Sequence, residues 1–399
     1  MDLVDGRYLR PQVADPTSTS PGEAVPASEE SRVATFSAVC PGTGLTARTG
    51  SKHHAVIGRW EAAYSARATD PEVRRASSSA GVLTALQEYL LLTGAERALA
   101  VGQDQHDPTR SAPAVITTAT DLKKTAGSRY APVASLDNPE VLSEGSVFVG
   151  KPCEASALAK ICDLKGLKAP VTLSFFCAGT PSHEATLQVL KELDCDPEAV
   201  SSVRYRGDGW PGEFRAVSET GTATMSYTRS WGQYLGRDVQ WRCKLCVDGT
   251  GADADISVGD LWDVDAKGYP IFDEAEGNSV VIARTPRGVQ IVHDAANAGF
   301  ISIKAVDPDE AIKVQPLQAD RRMTLAARLL GRRLAGYKVP KYVNYGIWGN
   351  QVRAFRRAPR ALGRTLVRSR QTGADGGELS ELGTRDRQNS SVSSNMRLS

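Results

Sequence analysis

The order of hydrophobic and polar positions predicts that strands and helices alternate through the first half of the chain. The amphipathic stretch GVLTALQEYLLLTGA predicts a helix from Gly81 onwards, and the apolar run ALAVG after it predicts a strand. The runs SVFVG and VTLSFF, each followed by a helix-like stretch, predict two further buried strands. This alternation is typical of an α/β core, in which helices flank a largely parallel or mixed sheet.

The pattern changes near Val203, where short predicted strands are joined by glycine-rich turns such as GWPG. This region predicts a second, more irregular α+β lobe. Both ends of the chain are poor in large apolar residues, which favours disorder. We therefore expect disordered tails at 1–32 and 372–399, an N-terminal α/β part at 33–150, a C-terminal part with the candidate ligand cysteines at 151–317, and a basic helical segment at 318–371.

Composition is close to that of an ordinary globular protein with more than one folded unit. Of the 399 residues, 41% are hydrophobic and 24% are charged, and a length of about 150 residues per domain predicts two units. The sequence contains no apolar run of about 18 residues. Its first thirty residues also lack the apolar stretch of a signal peptide, so we expect a cytoplasmic protein.

The net charge of +2 conceals a strongly basic segment near the C-terminus. Between Gln318 and Arg370 there are 14 Lys and Arg but only one acid, Asp320. The apolar residues of LAARLLGRRLAGY and QVRAFRRAPRALGRTLVRSR have helix-like spacing. Such a segment predicts a solvated helix, a docking surface for an acidic partner, or a contact with anionic lipid at a membrane surface. We expect no nucleic-acid partner.

Four of the seven cysteines lie where ligands, rather than core residues, are expected. Cys153 follows the strand SVFVG and Cys177 ends the strand LSFF, and ligands of α/β folds gather outside the carboxyl ends of strands. Cys243 and Cys246 form a C-x-x-C pair, a spacing with which two thiolates hold one metal or cluster. Four thiolates suit either a [4Fe–4S] cluster or a structural zinc.

The other three cysteines carry weaker signals. Cys162 and Cys195 lie at apolar positions of predicted helices, which favours ordinary buried cysteines. Cys40, in VCPGTG, is either a ligand left over from a cluster-binding segment or a plain turn residue.

Two loops contain residue types that bind anions. The serine-rich turn Ser77 to Gly81 precedes a predicted helix, where hydroxyls and free N–H groups suit a phosphate or simply cap the helix. The loop GSRY at 127–130 offers a cation, a hydroxyl and an aromatic ring, or is a turn with a surface arginine.

Taken together and in order, these motifs resemble the coenzyme F420 hydrogenase/dehydrogenase beta-subunit family, which includes 7-hydroxymethyl chlorophyll a reductase. The segments that carry the resemblance are EVRRASSSAGVLTAL, GSRYAPV, VFVGKPCEASAL, FFCAGTPS, VRYRGDGWPGEF, CKLCVDGTGADADISVGDLW and GNSVVIARTPRG. The resemblance extends from about Cys40 to Pro340, roughly three quarters of the chain.

The resemblance implies an iron–sulfur flavoprotein that passes electrons between a [4Fe–4S] cluster, FAD and a two-electron substrate, with coenzyme F420 as the first expectation. The implied flavin-binding residues are Ser78, Ser79, Gly81, Thr84, Ser128 and Tyr130. The implied cluster ligands are Cys153, Cys177, Cys243 and Cys246. Arg204 and Arg206 would bind the acidic tail of the substrate, or else are solvated arginines of a turn.

Two alternatives to this function stay open. The protein could be a ferredoxin-dependent reductase of another substrate, or an electron-transfer or binding subunit without a substrate of its own. Relatives often carry a cysteine-rich, ferredoxin-like segment that ends in Cys-Pro-Gly, of which only Cys40-Pro41-Gly42 is present here. We therefore expect electrons to come from a separate ferredoxin-like acidic donor or from a partner oxidoreductase subunit.

The sequence also departs from the family pattern at single positions. Ala80 replaces the first glycine of Ser-Ser-Gly-Gly, which would bring a methyl group near the flavin phosphates. Because alanine is small, we expect flavin binding to survive this replacement. Lys151 and Glu154 replace the Thr and Gln of Gly-Thr-Pro-Cys-Gln. A lysine beside a cluster would favour its reduced, more negative state.

Overall fold

The computed structural model describes residues 2–4, 6–11, 29–262, 271 and 277–372. The predicted C-terminal tail lies outside these residues, apart from Thr372 at the end of the last helix. None of the helices in the described ranges combines the length and the apolar character needed to cross a bilayer.

The strands in chain order are β1 Asp2–Val4, β2 Tyr8–Arg10, β3 Gly44–Thr46, β4 Lys52–His54, β5 Gly58–Trp60, β6 Ala62–Ala68, β7 Arg97–Gln103, β8 Ser111–Ile116, β9 Ser146–Gly150, β10 Val171–Phe175, β11 Val200–Arg204, β12 Glu213–Ser218, β13 Gly221–Ser226, β14 Ile256–Asp260, β15 Ser279–Ala283, β16 Ile301–Ala305 and β17 Lys341–Val343.

The α-helices in chain order are α1 Glu29–Val39, α2 Pro71–Ala76, α3 Val82–Leu92, α4 Ala119–Thr125, α5 Pro152–Lys165, α6 His183–Glu192, α7 Tyr227–Arg229, α8 Trp241–Lys244, α9 Pro286–Asn297, α10 Pro308–Lys313, α11 Pro316–Met323, α12 Leu325–Leu334, α13 Ile347–Arg353 and α14 Ala358–Thr372. A π-helical turn covers Ser230–Leu235.

Eight strands form the central sheet, in the order β16-β6-β15-β14-β10-β9-β7-β8. The four strands β14, β10, β9 and β7 run parallel to one another, and the remaining neighbours pair antiparallel. All five positions of β9 and of β15 are buried, as expected for strands covered on both faces. The predicted α/β class with a mixed sheet and flanking helices is therefore confirmed.

Helices cover both faces of this sheet. On one face α3 and α9 bury Leu86, Val292 and their neighbours against β6, β7 and β15. On the other face α5 buries Leu158 and Cys162 against Phe148 of β9. The buried position of Cys162 agrees with the interpretation of this residue as an ordinary core cysteine.

The predicted α+β lobe is present as a three-stranded antiparallel sheet, β11-β12-β13, packed against α6. Its core joins Val189 and Leu190 of α6 to Tyr205 and Phe214. Cys195, expected inside a helix, is half-buried in the turn after α6, with its Sγ 3.6 Å from the carbonyl oxygen of Leu193.

Parts of the tail predicted to be disordered at 1–32 have regular structure, whereas the prediction for residues 12–28 lies outside the described residues. Strands β1 and β2 form a hairpin, and α1 begins at Glu29. Arg7 forms an ion pair with Asp238, and the buried Tyr8 donates its hydroxyl to the Asp238 carbonyl at 3.1 Å. These partners lie more than 200 residues away, so the local composition of the tail gives no indication of them.

Candidate cofactor site

A cavity of about 590 Å³ opens at the carboxyl ends of the parallel strands β9, β10 and β14. It is lined by Val149 and Gly150 from β9, Phe175 from β10, and Val258 and Asp260 from β14. Ligands of open α/β sheets bind at this edge, because the loops that follow the strands meet there. We call this space the large cavity.

Every residue implied as flavin-binding lines the large cavity, namely Ser78, Ser79, Gly81, Thr84, Ser128 and Tyr130. They come from the serine loop with the first turn of α3 and from a second loop about fifty residues later, which the fold brings together. The Ser128 hydroxyl lies 2.6 Å from the Ser78 hydroxyl, and the Ser79 hydroxyl lies 2.6 Å from that of Ser279. The cavity wall therefore presents a cluster of hydroxyl groups.

Helix α3 directs its N-terminus into this hydroxyl cluster. Its N-cap is Gly81, which has a left-handed φ of +75° and no side chain to bond the first-turn N–H groups. A Cβ at Gly81 would lie 3.0 Å from the Ala68 Cβ and 3.1 Å from the Arg74 Cα, so the close approach of these segments also requires glycine. An uncapped helix N-terminus beside hydroxyls is suited to bind a phosphate.

Of the two candidate substrate-binding arginines, Arg206 lines the large cavity. It is only 3% exposed and forms an ion pair with Asp260 at 2.6 Å. Burial would lower the pKa of Arg206, but Asp260 outweighs this effect and raises it. Its guanidinium lies within 5.0 Å of the centres of three aromatic rings, those of Trp210, Tyr227 and Trp262.

One nitrogen of Arg206 has a free donor position. Its Nε donates to the Pro211 carbonyl and its Nη1 to Asp260, both at 2.6 Å. The buried Nη2 has no hydrogen-bond partner among the described residues. A buried donor without a partner is costly unless a ligand or water accepts from it.

Arg204 has a different position. Its Nη1 donates to the carbonyls of Ala76 at 2.9 Å and Ala126 at 3.3 Å, and its Nε lies 3.4 Å from Asp208. It is not among the residues that line the large cavity. Arg204 thus ties together the backbones that carry the cavity wall.

The four candidate ligand cysteines line a second cavity, which we call the cysteine cavity. Cys153 is in the first turn of α5, which Pro152 begins, and Cys177 follows β10. Cys243 lies in α8 and Cys246 shortly after it. The fold thus brings together thiols that are up to 93 positions apart in the sequence.

Buried cations surround these thiols. Burial raises the pKa of Cys177 to about 12 and also raises the pKa values of Cys153 and Cys246. The guanidinium of Arg242 lies 4.0 Å from the Cys153 sulfur, and both Arg242 and Arg321 line the cavity. Positive charge at this position lowers the cost of ionising the thiols, which metal binding requires.

The donor set of the cysteine cavity determines what it could hold. Among the residues that the structure describes, no three His, Cys, Asp or Glu side chains converge to hold a single metal ion. Four thiols around one cavity match in type the ligands of a [4Fe–4S] cluster. These residues fit such a cluster in number and in chemistry.

The two cavities adjoin at the segment from Cys177 to Thr180. Cys177, Gly179 and Thr180 line both cavities. A Cβ at Gly179 would lie 2.3 Å from a methyl carbon of Val239 and 3.3 Å from the Cβ of Cys243, and its φ is +134°. Only a glycine backbone fits between the C-x-x-C segment and the large cavity at this point.

Two family profiles match the chain. Residues 63–138 match the profile described as coenzyme F420 hydrogenase/dehydrogenase, beta subunit N-term, and residues 144–309 match the profile of its C terminus. Together they span about three fifths of the chain. The chain belongs to the coenzyme F420 hydrogenase/dehydrogenase beta-subunit family. The predicted enzyme class, a beta-subunit-like oxidoreductase, is thereby confirmed.

Individual relatives of this family agree with the assignment. The coenzyme F420 hydrogenase subunit beta of Methanococcus voltae is 25% identical over 299 residues, which cover 71% of this chain and 99% of that protein. The F420-dependent formate dehydrogenase 1 subunit beta of Methanococcus maripaludis is 27% identical over 257 residues, covering 61% of this chain and 62% of that protein.

A solved structure supports the fold. A chain of the F420-reducing [NiFe] hydrogenase complex from Methanosarcina barkeri superposes with a TM-score of 0.55 at 22% identity. The match covers 74% of this chain and 99% of that one. This likeness concerns the fold alone.

The residues that depart from the family pattern are Ala80 in the serine loop and Lys151 and Glu154 at the start of α5. Ala80 is fully buried and is not among the residues that line the large cavity, so its methyl group leaves that space open. Lys151 is buried, and its Nζ lies 2.5 Å from the Glu154 Oε1. The two residues that depart from the family pattern at this turn therefore form an ion pair. Burial would lower the pKa of Lys151, but Glu154 and the nearby cysteines raise it.

Sequence reasoning missed residues that hold the backbone around the cysteine cavity. Arg321 donates to the carbonyls of Cys177 at 3.1 Å and Cys243 at 2.9 Å, and Gln318 donates to the Cys177 carbonyl at 3.0 Å. Both belong to the segment predicted as a solvated basic helix, yet both are buried. No local signal distinguishes them from surface residues, whereas the position of Arg242 beside Cys243 in WRCKLC could have indicated its role.

Cys40 lies next to the cysteine cavity. Its neighbours Pro41 and Gly42 line that cavity, and a Cβ at Gly42 would lie 3.3 Å from the Cys40 sulfur. The two interpretations of Cys40, a ligand or a turn residue, both remain predictions.

Replacing Gly179 with alanine should destabilise the boundary between the two cavities. The added methyl overlaps Val239 and displaces Cys243, a steric cost of about 1–3 kcal/mol. Gly221→Ala is a matched control, because Gly221 has a similar φ of +139° and nothing within 4 Å of the added Cβ. Urea unfolding should show a larger loss of stability for Gly179→Ala, and equal losses would contradict the close packing described here.

Proposed function

We propose that the protein is an F420-linked oxidoreductase, which holds a [4Fe–4S] cluster in the cysteine cavity and FAD in the large cavity. The observation that carries this proposal is the shared wall of the two cavities, formed by Cys177, Gly179 and Thr180. Two redox groups bound on either side of one segment would be close enough to exchange electrons.

The cluster is proposed to be held by Cys153, Cys177, Cys243 and Cys246. Its thiolates and core would bring negative charge into a buried site, and Arg242 and Arg321 supply the compensating positive charge. Arg321 also bonds the backbone on both sides of the cavity, at Cys177 and Cys243. It thereby holds the two ligand-bearing segments at a fixed separation.

FAD is proposed to bind with its pyrophosphate at the N-terminus of α3. The hydroxyls of Ser78, Ser79 and Ser128 and the free N–H groups of the first turn are the donors available there. The wall of the cavity beyond them is apolar and aromatic, with Val82, Phe175 and Phe176. This combination of polar and apolar lining is typical of cofactor sites.

When bound, FAD would supply the conversion between the single electrons of iron–sulfur carriers and the hydride of a two-electron substrate. The chain itself binds and orients the reactants. Tyr227, Trp262 and Arg206 line one side of the large cavity, and the serine loop lines another. A planar substrate placed between them would stack on aromatic rings and be shielded from water.

Coenzyme F420 is proposed as the two-electron substrate. The support is the family membership together with the names of the relatives, which are F420 hydrogenase and F420-dependent formate dehydrogenase subunits. Within the large cavity, the free Nη2 of Arg206 offers a positively charged donor to an acidic or carbonyl group of this substrate.

Arg206→Lys should weaken the binding of F420 by about tenfold or more, because lysine keeps the charge but loses the planar set of donors. The affinity is measured by quenching of F420 fluorescence on titration with the protein. FAD content serves as the control and should not change. An unaltered F420 affinity would exclude Arg206 from the substrate site.

A further inference from the structure

A strongly basic surface follows the family-matched part of the chain, on α13, α14 and the turn between them. We call it the basic face, and its exposed cations are Arg353, Arg356, Arg357, Arg360, Arg364, Arg368 and Arg370. Between residues 321 and 372 the sequence contains no Asp or Glu. In the described part of the chain, the only ion pair of these arginines joins Arg357 to Asp320 at 3.9 Å. The basic face therefore projects uncompensated positive charge into solvent.

The same region exposes large apolar side chains. Trp348, Val352 and Phe355 are 69%, 73% and 65% exposed, and their spacing of four and three residues places them along one side of α13 and the turn after it. A helix that served only to keep the protein soluble would not expose tryptophan and phenylalanine in this way. Exposed aromatic side chains among arginines are typical of surfaces that bind a partner.

The basic face is joined directly to the cysteine cavity. At the end of α14, Thr372 accepts a hydrogen bond from the Trp241 indole at 3.0 Å, and Arg332 of α12 lies 4.1 Å from the Trp241 ring. Trp241 begins α8, the helix that carries Cys243. Helix α12 packs closely on α14, because a Cβ at Gly331 would lie 2.6 Å from the Leu362 carbonyl oxygen.

A second connection runs through the segment between α12 and α13. Tyr342 lines the cysteine cavity and donates its hydroxyl to the carbonyl of Leu245, between the two cysteines of the C-x-x-C pair, at 2.9 Å. A partner seated on the basic face would thus contact elements that themselves contact the candidate cluster ligands.

We propose that the basic face is the docking surface for an acidic electron-carrier protein, which exchanges electrons with the group held in the cysteine cavity. The positive charge selects and steers a negatively charged partner. Trp348, Val352 and Phe355 supply the apolar contacts that anchor it. This inference rests on the proposed cluster, since it is the proximity to the cysteines that favours a redox protein over an anionic lipid surface.

The test compares two triple charge reversals with the same change in net charge. One carries Arg356→Glu, Arg360→Glu and Arg364→Glu in the basic face; the control carries Lys168→Glu, Lys191→Glu and Lys304→Glu at exposed positions elsewhere. The probe is a purified acidic [2Fe–2S] ferredoxin, whose dissociation constant is measured by calorimetry at salt concentrations from about 50 to about 300 mM.

The wild-type protein should bind the ferredoxin at low salt and lose affinity as the salt concentration rises. The basic-face variant should bind at least about tenfold more weakly than the control variant, and Trp348→Ala should also weaken binding. Equal affinities of the two triple variants would overturn the proposal. So would wild-type protein that binds vesicles of phosphatidylglycerol and phosphatidylcholine in equal parts but not the ferredoxin.

Cofactor content distinguishes a failure of the docking proposal from a failure of the proposed function. Iron, sulfide and FAD contents, and the rate of reduction by a small uncharged chemical donor, should be the same in wild type and in both triple variants. Loss of ferredoxin binding with these properties intact would locate the defect in docking. Absence of iron from the wild-type protein would instead contradict the cluster on which the inference rests.

Discussion

Replacing Cys243 with serine is expected to abolish the binding of iron and acid-labile sulfide after anaerobic reconstitution. The wild-type chain should retain about four of each, the content of one [4Fe–4S] cluster. Iron–sulfur clusters are held by cysteine thiolates, and a serine hydroxyl does not replace a thiolate, so one corner of the cluster would lose its ligand. Cys195→Ser is the matched control, because Cys195 lies in a turn after α6 and outside the cysteine cavity.

Two outcomes would contradict this prediction. Equal iron in the Cys243 and Cys195 variants would show that the C-x-x-C pair holds no cluster. Stoichiometric zinc without sulfide in the wild-type protein would show that the cysteine cavity is a structural metal site, the alternative that the sequence leaves open.

The substitution Ser79→Asp should weaken FAD binding by about 100-fold or more. A carboxylate at this position would lie next to the proposed position of the cofactor phosphates, and like charges at such short range repel. Ser79 lies three residues before the start of α3, and an acidic group near a helix N-terminus does not destabilise the helix. The variant should therefore fold with wild-type thermal stability while losing flavin.

The neutral variant Ser79→Ala shows how much of the loss in FAD affinity comes from removing the hydroxyl rather than from adding a negative charge. The substitution removes the 2.6 Å contact with the Ser279 hydroxyl but introduces no charge. The Ser79→Ala protein should therefore bind FAD only several-fold more weakly than wild type, a much smaller loss than that of the Ser79→Asp protein. FAD content and the dissociation constant are measured by flavin absorbance and fluorescence. Stoichiometric FAD in Ser79→Asp would show that the serine loop is not the phosphate site.

Much of the architecture is predictable from local sequence patterns. The buried runs of β9 and β10 are short, apolar and bounded by turn residues, and each precedes a stretch with helical spacing. Because parallel strands present their carboxyl ends at one edge, the positions of Cys153 and Cys177 after these strands already indicate that they meet. The serine loop is also recognisable from the sequence, because it directly precedes the amphipathic stretch that forms α3.

Other features depend on contacts that no local pattern records. Arg321 has the same sequence context as many surface arginines, and only the tertiary fold brings Cys177 and Cys243 within reach of its guanidinium. Arg204 and Arg206 lie two residues apart in and after β11, yet Arg204 binds loop carbonyls while Arg206 lines the large cavity. The N-terminal hairpin likewise depends on the distant Asp238.

Anaerobic mixing of the reconstituted protein with reduced coenzyme F420 tests the central claim most directly. We expect the 420 nm absorbance of oxidised F420 (a general property of the deazaflavin) to appear as flavin absorbance is lost, with about one F420 oxidised per FAD reduced. Flavin that stays oxidised in excess reduced F420, yet is bleached at once by dithionite, would contradict an F420-linked oxidoreductase.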